Sequence, residues 1–421
     1  MKKIVSMFLM TSIFFWGSHD VFAEEEEKVV LVEDLQQLEG VQKELQEQHG
    51  IQQLDIIEEI GILRVKGESQ NLDYSIDSLV DEGIQHGKLL SVKGEQSTAP
   101  LTDLQFERFN WGLNKINEPL NFPQLMGKKS IRIAVVDSGI DTTHPLLSEN
   151  VTQGRSYISE ELATVDFFGH GTQVAGLLRT IAPQATLIPY KVLTPQGGGD
   201  SFNTIMAIID AVNDGANIIN VSVGTYKSMK NEEEALTKQA YERAVAYAKE
   251  NKVAVVASSG NNGYSLDDKA KEEALYHLPG GLEDVITVGS STKDSALAYY
   301  SNYGEEIDLV APGGDFGPTY LTKGEMNVTY MIVTTKPMQQ DPNFIDLAVG
   351  MPQGYTLSFG TSLSAPQVSA ALALLMSRET VGKPNPQKYV SELYRSATDL
   401  GEPGRDVQFG HGELNIERML E

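Results

Sequence analysis

Three short motifs, far apart in the chain, carry side chains that together could perform nucleophilic and acid–base chemistry. Asp137 ends the apolar run IRIAVVD and is followed by Ser-Gly. His170 lies between two glycines in GHGT, and Ser362 lies in FGTSLSAP, just before an apolar stretch with helical character. A hydroxyl becomes a strong nucleophile when an imidazole removes its proton and a carboxylate orients that imidazole.

Each motif also has an ordinary structural interpretation. Asp137 could be a helix cap or turn residue, His170 a structural or solvent-exposed side chain, and Ser362 a simple N-cap. The glycines beside the histidine free the backbone to present the ring, and Thr172 is expected to cap the following helix. Pro366 is tolerated in a first helical turn, so it predicts where that helix begins. A serine at this helix start would lie near unpaired N–H groups that favour negative charge.

A fourth motif follows another apolar strand. Residues 258–263, SSGNNG, come directly after the run VAVVA. The side-chain amide of Asn261 could donate a hydrogen bond to an oxyanion at that point. Asn-Gly and Gly-Asn pairs are also common in plain turns, so this motif alone leaves both interpretations open.

The region from about residue 107 onwards alternates apolar strands with helical stretches. The predicted strands span residues 131–136, 187–192, 218–223, 253–257 and 285–288, and the predicted helices span 203–212 and 235–252. Continuous apolar strands separated by helices are typical of a parallel sheet covered on both faces, so we expect an α/β domain. Sites in such sheets gather at the carboxyl ends of the strands, as Asp137 does.

A smaller module precedes this domain. Its pattern predicts strands at residues 29–32, 51–57, 60–65 and 89–92, helices over 35–45 and 74–80, and a tight turn at Glu58–Glu59. The order β-α-β-β-α-β is that of a ferredoxin-like α+β unit. Residues 93–106 are polar, contain a proline and lack periodicity, which is typical of an exposed linker open to proteolysis.

The first residues have the pattern of a secretory signal peptide. Lys2 and Lys3 precede an apolar run at residues 4–17, and Val21-Phe22-Ala23 offers a cleavage site. The run is shorter than the ~20 residues that span a bilayer, so an uncleaved anchor is the weaker alternative. We expect a secreted, extracellular protein with no membrane association after cleavage.

Taken together, the motifs occur in the order Asp137, His170, Asn261, Ser362 and resemble the subtilisin-like serine proteases. The segments DSG, GHGT and GTSLSAP resemble that family's three active-site motifs. Two further landmarks are APG at residues 311–313 and GHGELN at residues 410–415. The resemblance extends over the chain from residue 107 to residue 419.

The resemblance implies a serine endopeptidase with a subtilisin-like fold, a parallel sheet with helices on both faces. It implies that Asp137, His170 and Ser362 are the catalytic triad and that Asn261 binds the oxyanion.

The resemblance also implies where substrate binds. The segment Ser222, Val223 and Gly224 is similar to the family's strand that lines the primary specificity pocket. Gly197 and Gly198 are expected in the strand that faces it, with the substrate between them.

The family's organisation implies that the N-terminal module is an inhibitory propeptide. The expected layout is a signal peptide at 1–23, a propeptide at 24–95, a linker with the processing site at 96–106 and a catalytic domain at 107–421. Glu95 and Gln96 flank a candidate self-processing bond, and residues 97–99 offer others. A cut after Glu95 would indicate a preference for acidic residues.

The chain departs from the family pattern at several places. Gln173 stands where a second histidine is usual, a change not expected to affect activity. The segment LLRT runs directly into Ile181, without the calcium-binding loop of many relatives, so we do not expect that calcium site here. We also predict no other metal site and no cofactor.

Two segments are longer than a minimal member needs, residues 225–240 and 314–356, and long loops near a site usually shape specificity. Together with GGD at 313–315, the second segment resembles the leader peptidases that mature lantibiotics. A general extracellular degradative subtilisin and a peptide-binding pseudoprotease are the alternatives.

The net charge and the absence of cysteine limit the classes of partner and of site that we expect. The formal net charge is −25, which should repel nucleic acid and anionic membranes. The chain has no cysteine, so disulfides, thiolate metal sites and a cysteine nucleophile are excluded. We expect a monomer that binds a peptide or precursor-peptide substrate and its own propeptide as an intramolecular inhibitor, and no nucleic acid.

Overall fold

The structure is a computed structural model that describes residues 27–32, 35, 38–49, 53–66, 78–80, 108–117, 126–158, 161–379 and 384–420. Its strands are β1 (Glu27–Leu31), β2 (Gln53–Ile57), β3 (Ile62–Lys66), β4 (Ser78–Val80), β5 (Arg132–Asp137), β6 (Arg155–Ser156), β7 (Thr186–Lys191), β8 (Gly198–Asp200), β9 (Ile218–Val221), β10 (Thr225–Ser228), β11 (Ala254–Ser258), β12 (Leu275–Leu278), β13 (Val285–Ser291), β14 (Leu309–Pro312), β15 (Ile332–Thr335) and β16 (Tyr355–Ser358).

Helices connect most of these strands. They are α1 (Leu38–His49), α2 (Trp111–Ile116), α3 (His170–Ile181), α4 (Ser201–Asn213), α5 (Glu232–Glu250), α6 (Leu266–Asp268), α7 (Tyr320–Lys323), α8 (Phe344–Val349), α9 (Thr361–Met376), α10 (Gln387–Ser396) and α11 (Ile416–Leu420). Short 3₁₀ or π turns cover Glu58–Ile60, Lys269–Glu273 and Val328–Tyr330.

A seven-stranded sheet forms the centre of the molecule, in the order β14-β13-β11-β9-β5-β7-β6. Every neighbouring pair in it is parallel. The strands are buried on both faces, which explains why they appear in the sequence as continuous apolar runs rather than alternating ones. The predicted α/β architecture with a parallel sheet is therefore confirmed.

The two faces of the sheet are covered by different helices. On β5, Ile133 and Val135 belong to a core with α3 and α9, whereas Ala134 and Val136 belong to a core with α4 and α5. This alternation follows from the two-residue period of a strand. Helix α9 is buried along its whole length, so it is apolar on every side rather than amphipathic.

The N-terminal unit contains a three-stranded antiparallel sheet in the order β1-β3-β2, with α1 between β1 and β2 in the chain. This agrees with the first part of the predicted order. The tight turn at Glu58–Glu59 is instead a short 3₁₀ turn closed by Gly61, whose φ of 67° favours glycine. The last predicted strand, 89–92, lies outside the described residues.

The N-terminal unit packs against α4 and α5. Ile60 and Ile62 are buried in the same hydrophobic core as those helices. The Arg243 guanidinium of α5 donates hydrogen bonds to the carbonyls of Val32 and Ile60, at 2.7 and 2.9 Å. Full burial of one isoleucine is worth about 1.5–3 kcal/mol, so these contacts hold the unit firmly on the α/β domain.

One predicted helix in this unit is wrong. Residues 74–80 were expected to be helical, but 78–80 form strand β4, which pairs antiparallel with β8. In the register, Val80 lies opposite Gly198 and Ser78 opposite Asp200. The open edge of β8 supplies hydrogen-bond partners to this backbone, and such tertiary pairing outweighs a weak helical pattern.

The segment 314–356 is more ordered than a long loop. Its strands β15 and β16 form an antiparallel hairpin, and α8 begins with a capping box between Asn343 and Asp346. The Asp346 carboxylate is buried, lies 2.8 Å from the Lys336 ammonium and accepts a hydrogen bond from the Thr356 hydroxyl. A fully satisfied buried pair of this kind fixes the hairpin in one arrangement.

The segment 225–240 is likewise not a loop. Residues 225–228 form β10, which pairs antiparallel with β12. Helix α5 begins at Glu232, with the Asn231 side chain accepting from the N–H groups of its first turn. Three glutamates at this helix start complement the helix dipole, and this is why a strongly charged stretch is helical.

Helix α3 ends at Ile181 and β7 begins at Thr186, so no long insertion separates them. Within the part of the chain that the structure describes, no helix combines the length and the apolar character needed to cross a membrane.

Candidate active site

The candidate residues lie at the carboxyl ends of neighbouring strands. Asp137 is the last residue of β5, Ser222 follows β9, and Asn261 follows β11. These three strands are adjacent and parallel, so their carboxyl ends meet at one edge of the sheet. The structure therefore brings together motifs separated by more than a hundred residues, as the sheet prediction required.

Asp137 and His170 form a buried pair. The imidazole Nδ1 lies 2.8 Å from Asp137 Oδ1 and 3.0 Å from Oδ2, and neither side chain is exposed. The Ser138 backbone N–H donates to the same carboxylate at 2.7 Å. Because the carboxylate accepts from Nδ1–H, the basic lone pair of the neutral ring is on Nε2.

Asp166 organises the turn that carries His170. Its carboxylate accepts hydrogen bonds from the N–H groups of Gly169 and Thr172 and from the Ser138 hydroxyl, at 2.7, 2.9 and 2.9 Å. Burial raises the pKa of Asp166 to about 6, while the bonds from Thr172 and Gly169 pull it down. Thr172 was expected to cap α3, but it lies inside the helix and its hydroxyl donates to Asp166. The N-cap residue is Gly169, and the Asp166 carboxylate accepts the hydrogen bonds that a capping side chain would accept.

Ser362 is the second residue of α9, as the prediction of a helix-start serine required. Its hydroxyl is buried and makes no hydrogen bond within the described residues. Gly360, with φ 145°, precedes the helix and lets the chain turn into it. The hydroxyl is thus held at the N-terminus of the helix, where the helix dipole favours negative charge.

Pro366 lies in the second turn of α9 rather than the first, which corrects the prediction of where the helix begins. A proline at this position has no N–H for the carbonyl of Ser362, four residues earlier. The Ser222 hydroxyl donates to that carbonyl at 2.9 Å and accepts from Asn220 Nδ2 at 2.9 Å. A side chain that follows β9 therefore replaces the missing helical bond and ties the backbone of Ser362 to the sheet.

The orientation of the Asn261 amide follows from its partners. Its Oδ1 accepts from the Thr361 N–H and from the Thr361 hydroxyl, both at 2.9 Å. The N–H can only donate, so the oxygen of the amide must face Thr361. The Nδ2 group is buried and finds no acceptor among the residues that the structure describes. It is a preorganised donor at the start of α9.

The expected substrate-binding residues fall into two groups. Val223 and Gly224 follow β9 and are buried, and a Cβ on Gly224 would lie 2.6 Å from His277 Nε2. Gly197 has φ 83° and packs against the Phe168 ring, and Gly198 is in β8, paired with β4. The candidate processing residues Glu95 and Gln96 lie outside the described residues.

The 314–356 segment contacts helix α3, which begins with His170, and the loop before it. The hydroxyls of Thr334 and Thr335 each donate at 2.6 Å to the carbonyls of Gln173 and Thr172. The Gln340 amide donates to the Phe168 carbonyl at 2.9 Å. The insertion is therefore a support for α3 and for the loop before it.

Sequence reasoning missed Asp166, Thr361 and His277. An available signal for Asp166 was its place four residues before His170, where an acidic side chain reaches a helix start. For Thr361, the available signal was its position next to Ser362, the candidate nucleophile. His277 had no signal, because the pairing of β10 with β12 alone brings it to Gly224.

The described residues contain no group of three or more His, Asp or Glu side chains placed to hold a metal ion.

This chain is similar to known proteases both in its family match and in its fold. The family model for the subtilase family (Peptidase_S8) matches residues 128–412. The crystal structure of a lanthipeptide protease matches with a TM-score of 0.72 and 40% sequence identity, covering 75% of this chain and 96% of that one.

Two curated relatives differ in how much of their length is matched. The epidermin leader peptide-processing serine protease EpiP of Staphylococcus epidermidis is 28% identical over 394 residues, which cover 81% of this chain and 79% of EpiP. The minor extracellular protease Epr of Bacillus subtilis (strain 168) is 29% identical over 325 residues, 75% of this chain. The match spans only 42% of the length of Epr.

The bond between Ser222 and Ser362 gives a double-mutant test. Ser222→Ala leaves the Ser362 carbonyl without its donor and should lower the free energy of unfolding by about 1–3 kcal/mol. Pro366→Ala restores a helical N–H for that carbonyl, so the Ser222→Ala penalty should shrink in its background, with a coupling of about 0.5–2 kcal/mol. Urea denaturation of the four proteins measures both quantities.

Ser377→Ala is the control, because its hydroxyl donates to Ala373 at the far end of α9. Its effect should add to that of Pro366→Ala. If the effects of Ser222→Ala and Pro366→Ala on the free energy of unfolding were also simply additive, the assigned role of the Ser222 hydroxyl would be contradicted.

Proposed function

Because this chain belongs to the subtilase family, we propose that it is a serine endopeptidase whose catalytic triad is Asp137, His170 and Ser362. The observation that carries the proposal is the buried pair of Asp137 and His170 at the sheet edge where the Ser362 helix begins. The geometry fits acyl transfer to a serine hydroxyl.

In the proposed mechanism, His170 Nε2 takes the proton of the Ser362 hydroxyl as that oxygen attacks a peptide carbonyl. The Asp137 carboxylate keeps the Nδ1 proton in place and stabilises the imidazolium that forms. The imidazolium then protonates the leaving amine, and a water molecule repeats the sequence on the acyl-enzyme. Burial of Asp137 and His170 strengthens their interaction by excluding water.

The oxyanion of the tetrahedral intermediate would bind to the Asn261 Nδ2 group and the Ser362 backbone N–H. Two features support this role for Asn261: its amide is fixed by Thr361, and its Nδ2 is buried without an acceptor in the described part of the chain. A donor held in place before reaction needs no reorganisation as the negative charge develops.

We further propose that the substrate is a lantibiotic precursor peptide and that the cut removes its leader. The support is the likeness to a lanthipeptide protease at 40% identity and to an epidermin leader peptide-processing protease. A general degradative protease is the second candidate, because Epr is described only as a minor extracellular protease. The hairpin β15–β16 contacts the start of α3 through Thr334 and Thr335, so it can contribute to the shape of the site.

The N-terminal unit is proposed to act as an inhibitory propeptide, and the chain to be secreted after removal of residues 1–23. Two contacts support inhibition: Ile60 and Ile62 share a core with α4 and α5, and β4 pairs with Gly198 and its neighbours in β8. A chain segment on β8 excludes a substrate strand from the same edge. Cleavage in the linker would then be needed for full activity.

Asn261→Ala should lower kcat by about 10²–10³-fold, the range known for loss of an oxyanion asparagine in subtilisin, with little change in KM. Asn262→Ala, the same substitution at the exposed neighbouring residue, should leave kcat within about twofold. Steady-state kinetics on one peptide substrate, normalised to active sites, measures both. A kcat within a few-fold of the wild type for Asn261→Ala would remove that residue from the oxyanion site.

Ser362→Ala should keep the N-terminal unit covalently attached, because the variant has no nucleophile to cut the linker. Intact mass spectrometry of both secreted proteins should show a shorter wild type and an uncut variant. A fluorophosphonate probe should label the wild type alone. Identical N-termini would rule out self-processing, and an unlabelled wild type would favour the pseudoprotease alternative.

A leader peptidase should cut a lantibiotic precursor once, at the junction of leader and core, and hydrolyse casein at least about tenfold more slowly per enzyme. The measurement is kcat/KM for each substrate with the same active-site-titrated preparation. Broad casein hydrolysis at a rate equal to precursor cleavage would favour the degradative alternative.

A further inference from the structure

Five aromatic rings form a closed circuit of contacts close to the start of α9. Each ring lies 4.6–5.9 Å, centroid to centroid, from two of the others. All five contacts are tilted or T-shaped, the arrangement that aromatic pairs prefer over a face-to-face sandwich. The rings, called here the aromatic platform, belong to Tyr299, Tyr300, Phe316, Tyr320 and Phe359.

The platform is fixed next to the candidate nucleophile. Phe359 comes three residues before Ser362, and three residues span at most about 11 Å. The GGD turn connects the two: the carbonyl of Gly313 accepts from the Gly360 N–H at 3.0 Å. The carbonyl of the next residue in the turn accepts from the Tyr300 hydroxyl at 2.6 Å. The rings therefore keep a constant position relative to the first turn of α9.

The order of strands in the sheet indicates which half of a substrate meets these rings. The rings belong to segments that follow β13, β14 and β16, whereas β8 follows β7. Along the sheet, β14 and β13 lie on one side of β11, and β9, β5 and β7 lie on the other. Substrate residues before the scissile bond are expected between Ser222–Gly224 and Gly197–Gly198. The residues after that bond must then leave Ser362 toward the platform.

The platform presents apolar surface to solvent. Tyr299 is 39% exposed, and Phe316, Tyr320 and Phe359 are half-buried. Leu321, the neighbour of Tyr320 in α7, is 70% exposed. A contiguous exposed apolar surface of this kind marks a binding site more often than isolated surface residues do. Aromatic side chains are also the ones enriched where proteins bind peptides and other proteins.

Resting on the proposed peptidase function, we propose that the aromatic platform binds the part of the substrate that follows the scissile bond. It selects an aromatic or bulky aliphatic side chain within the first three residues after the cut, because a strand advances about 3.3 Å per residue. Tyr299 has the most exposed ring and is the specificity-determining residue. The substrate class is a precursor peptide whose released carboxyl-terminal part begins with a bulky apolar side chain.

Peptides that differ in one residue after the cut test the proposal. The part before the cut is kept constant, and the part after it is alanine with a single Phe at the first, second or third position. The wild type should cleave the best Phe peptide with a kcat/KM about tenfold above that of the all-alanine peptide. Tyr299→Ala should reduce this ratio to about two or less, whereas Tyr299→Phe, which keeps the ring, should retain it.

Two controls separate binding by the platform from a change elsewhere in the enzyme. A nitroanilide with the same residues before the cut has none after it, so the fall in kcat/KM caused by Tyr299→Ala should be confined to the peptides. Phe344→Ala removes an exposed ring that lies in the same 314–356 segment but is not one of the five, and it should keep the wild-type ratio. Fluorophosphonate titration counts the folded active sites of every variant.

The outcomes distinguish this proposal from the peptidase proposal. A labelled wild type that cleaves the Phe and alanine peptides equally at all three positions would overturn the role of the platform and leave the peptidase proposal standing. Equal losses on the peptides and the nitroanilide in Tyr299→Ala would also overturn it. If Tyr299→Ala dissociated a dimer in sedimentation and left the ratio unchanged, the platform would be a contact between copies and the proposal would be wrong. An enzyme that neither labels nor cuts would overturn both proposals.

Discussion

A carboxylate with no access to water lies at the end of strand β5, and the surrounding residues are arranged to satisfy it. The Asp137 carboxylate accepts hydrogen bonds from the His170 ring and from the Ser138 N–H. The Ser138 hydroxyl donates to Asp166, whose carboxylate also accepts hydrogen bonds from the start of α3. An unpaired charge in this position would cost several kcal/mol, so the histidine has one favourable orientation. The His170 ring is therefore held in position by its electrostatic partner before any ligand binds.

The rest of the fold positions the other residues of the site around the Asp137–His170 pair. Parallel strands put the ends of β5, β9 and β11 at one edge, and α9, buried on all sides, presents its first turn there. Ser222 and Thr361 then connect the helix to the sheet and to Asn261. These bonds are short-range, but they join residues that are far apart in sequence, so the geometry depends on the whole sheet being formed.

The sequence was sufficient for the parallel sheet, for most helices and for the four residues proposed to carry catalysis, because strands, glycines and polar residues at strand ends leave local patterns. It was insufficient where contact with a residue far away in the sequence determines the local structure. Residues 78–80 are a strand because β8 offers an edge, and Pro366 lies within α9 because Ser222 replaces the lost bond. His277 has no local pattern at all, since only the β10–β12 register brings it to Gly224.

Strand β8 can accept one neighbour along the edge that β4 uses, because Leu193 bridges to Gly199 on the other side. Occupancy by the N-terminal segment and by any extended peptide is therefore mutually exclusive. While the segment is tethered, its effective concentration at β8 is typically in the millimolar range. A competing peptide would therefore find most copies of this strand edge already occupied. If the tether were cut, the same contacts would become an ordinary bimolecular equilibrium, and the occupied fraction would then fall on dilution.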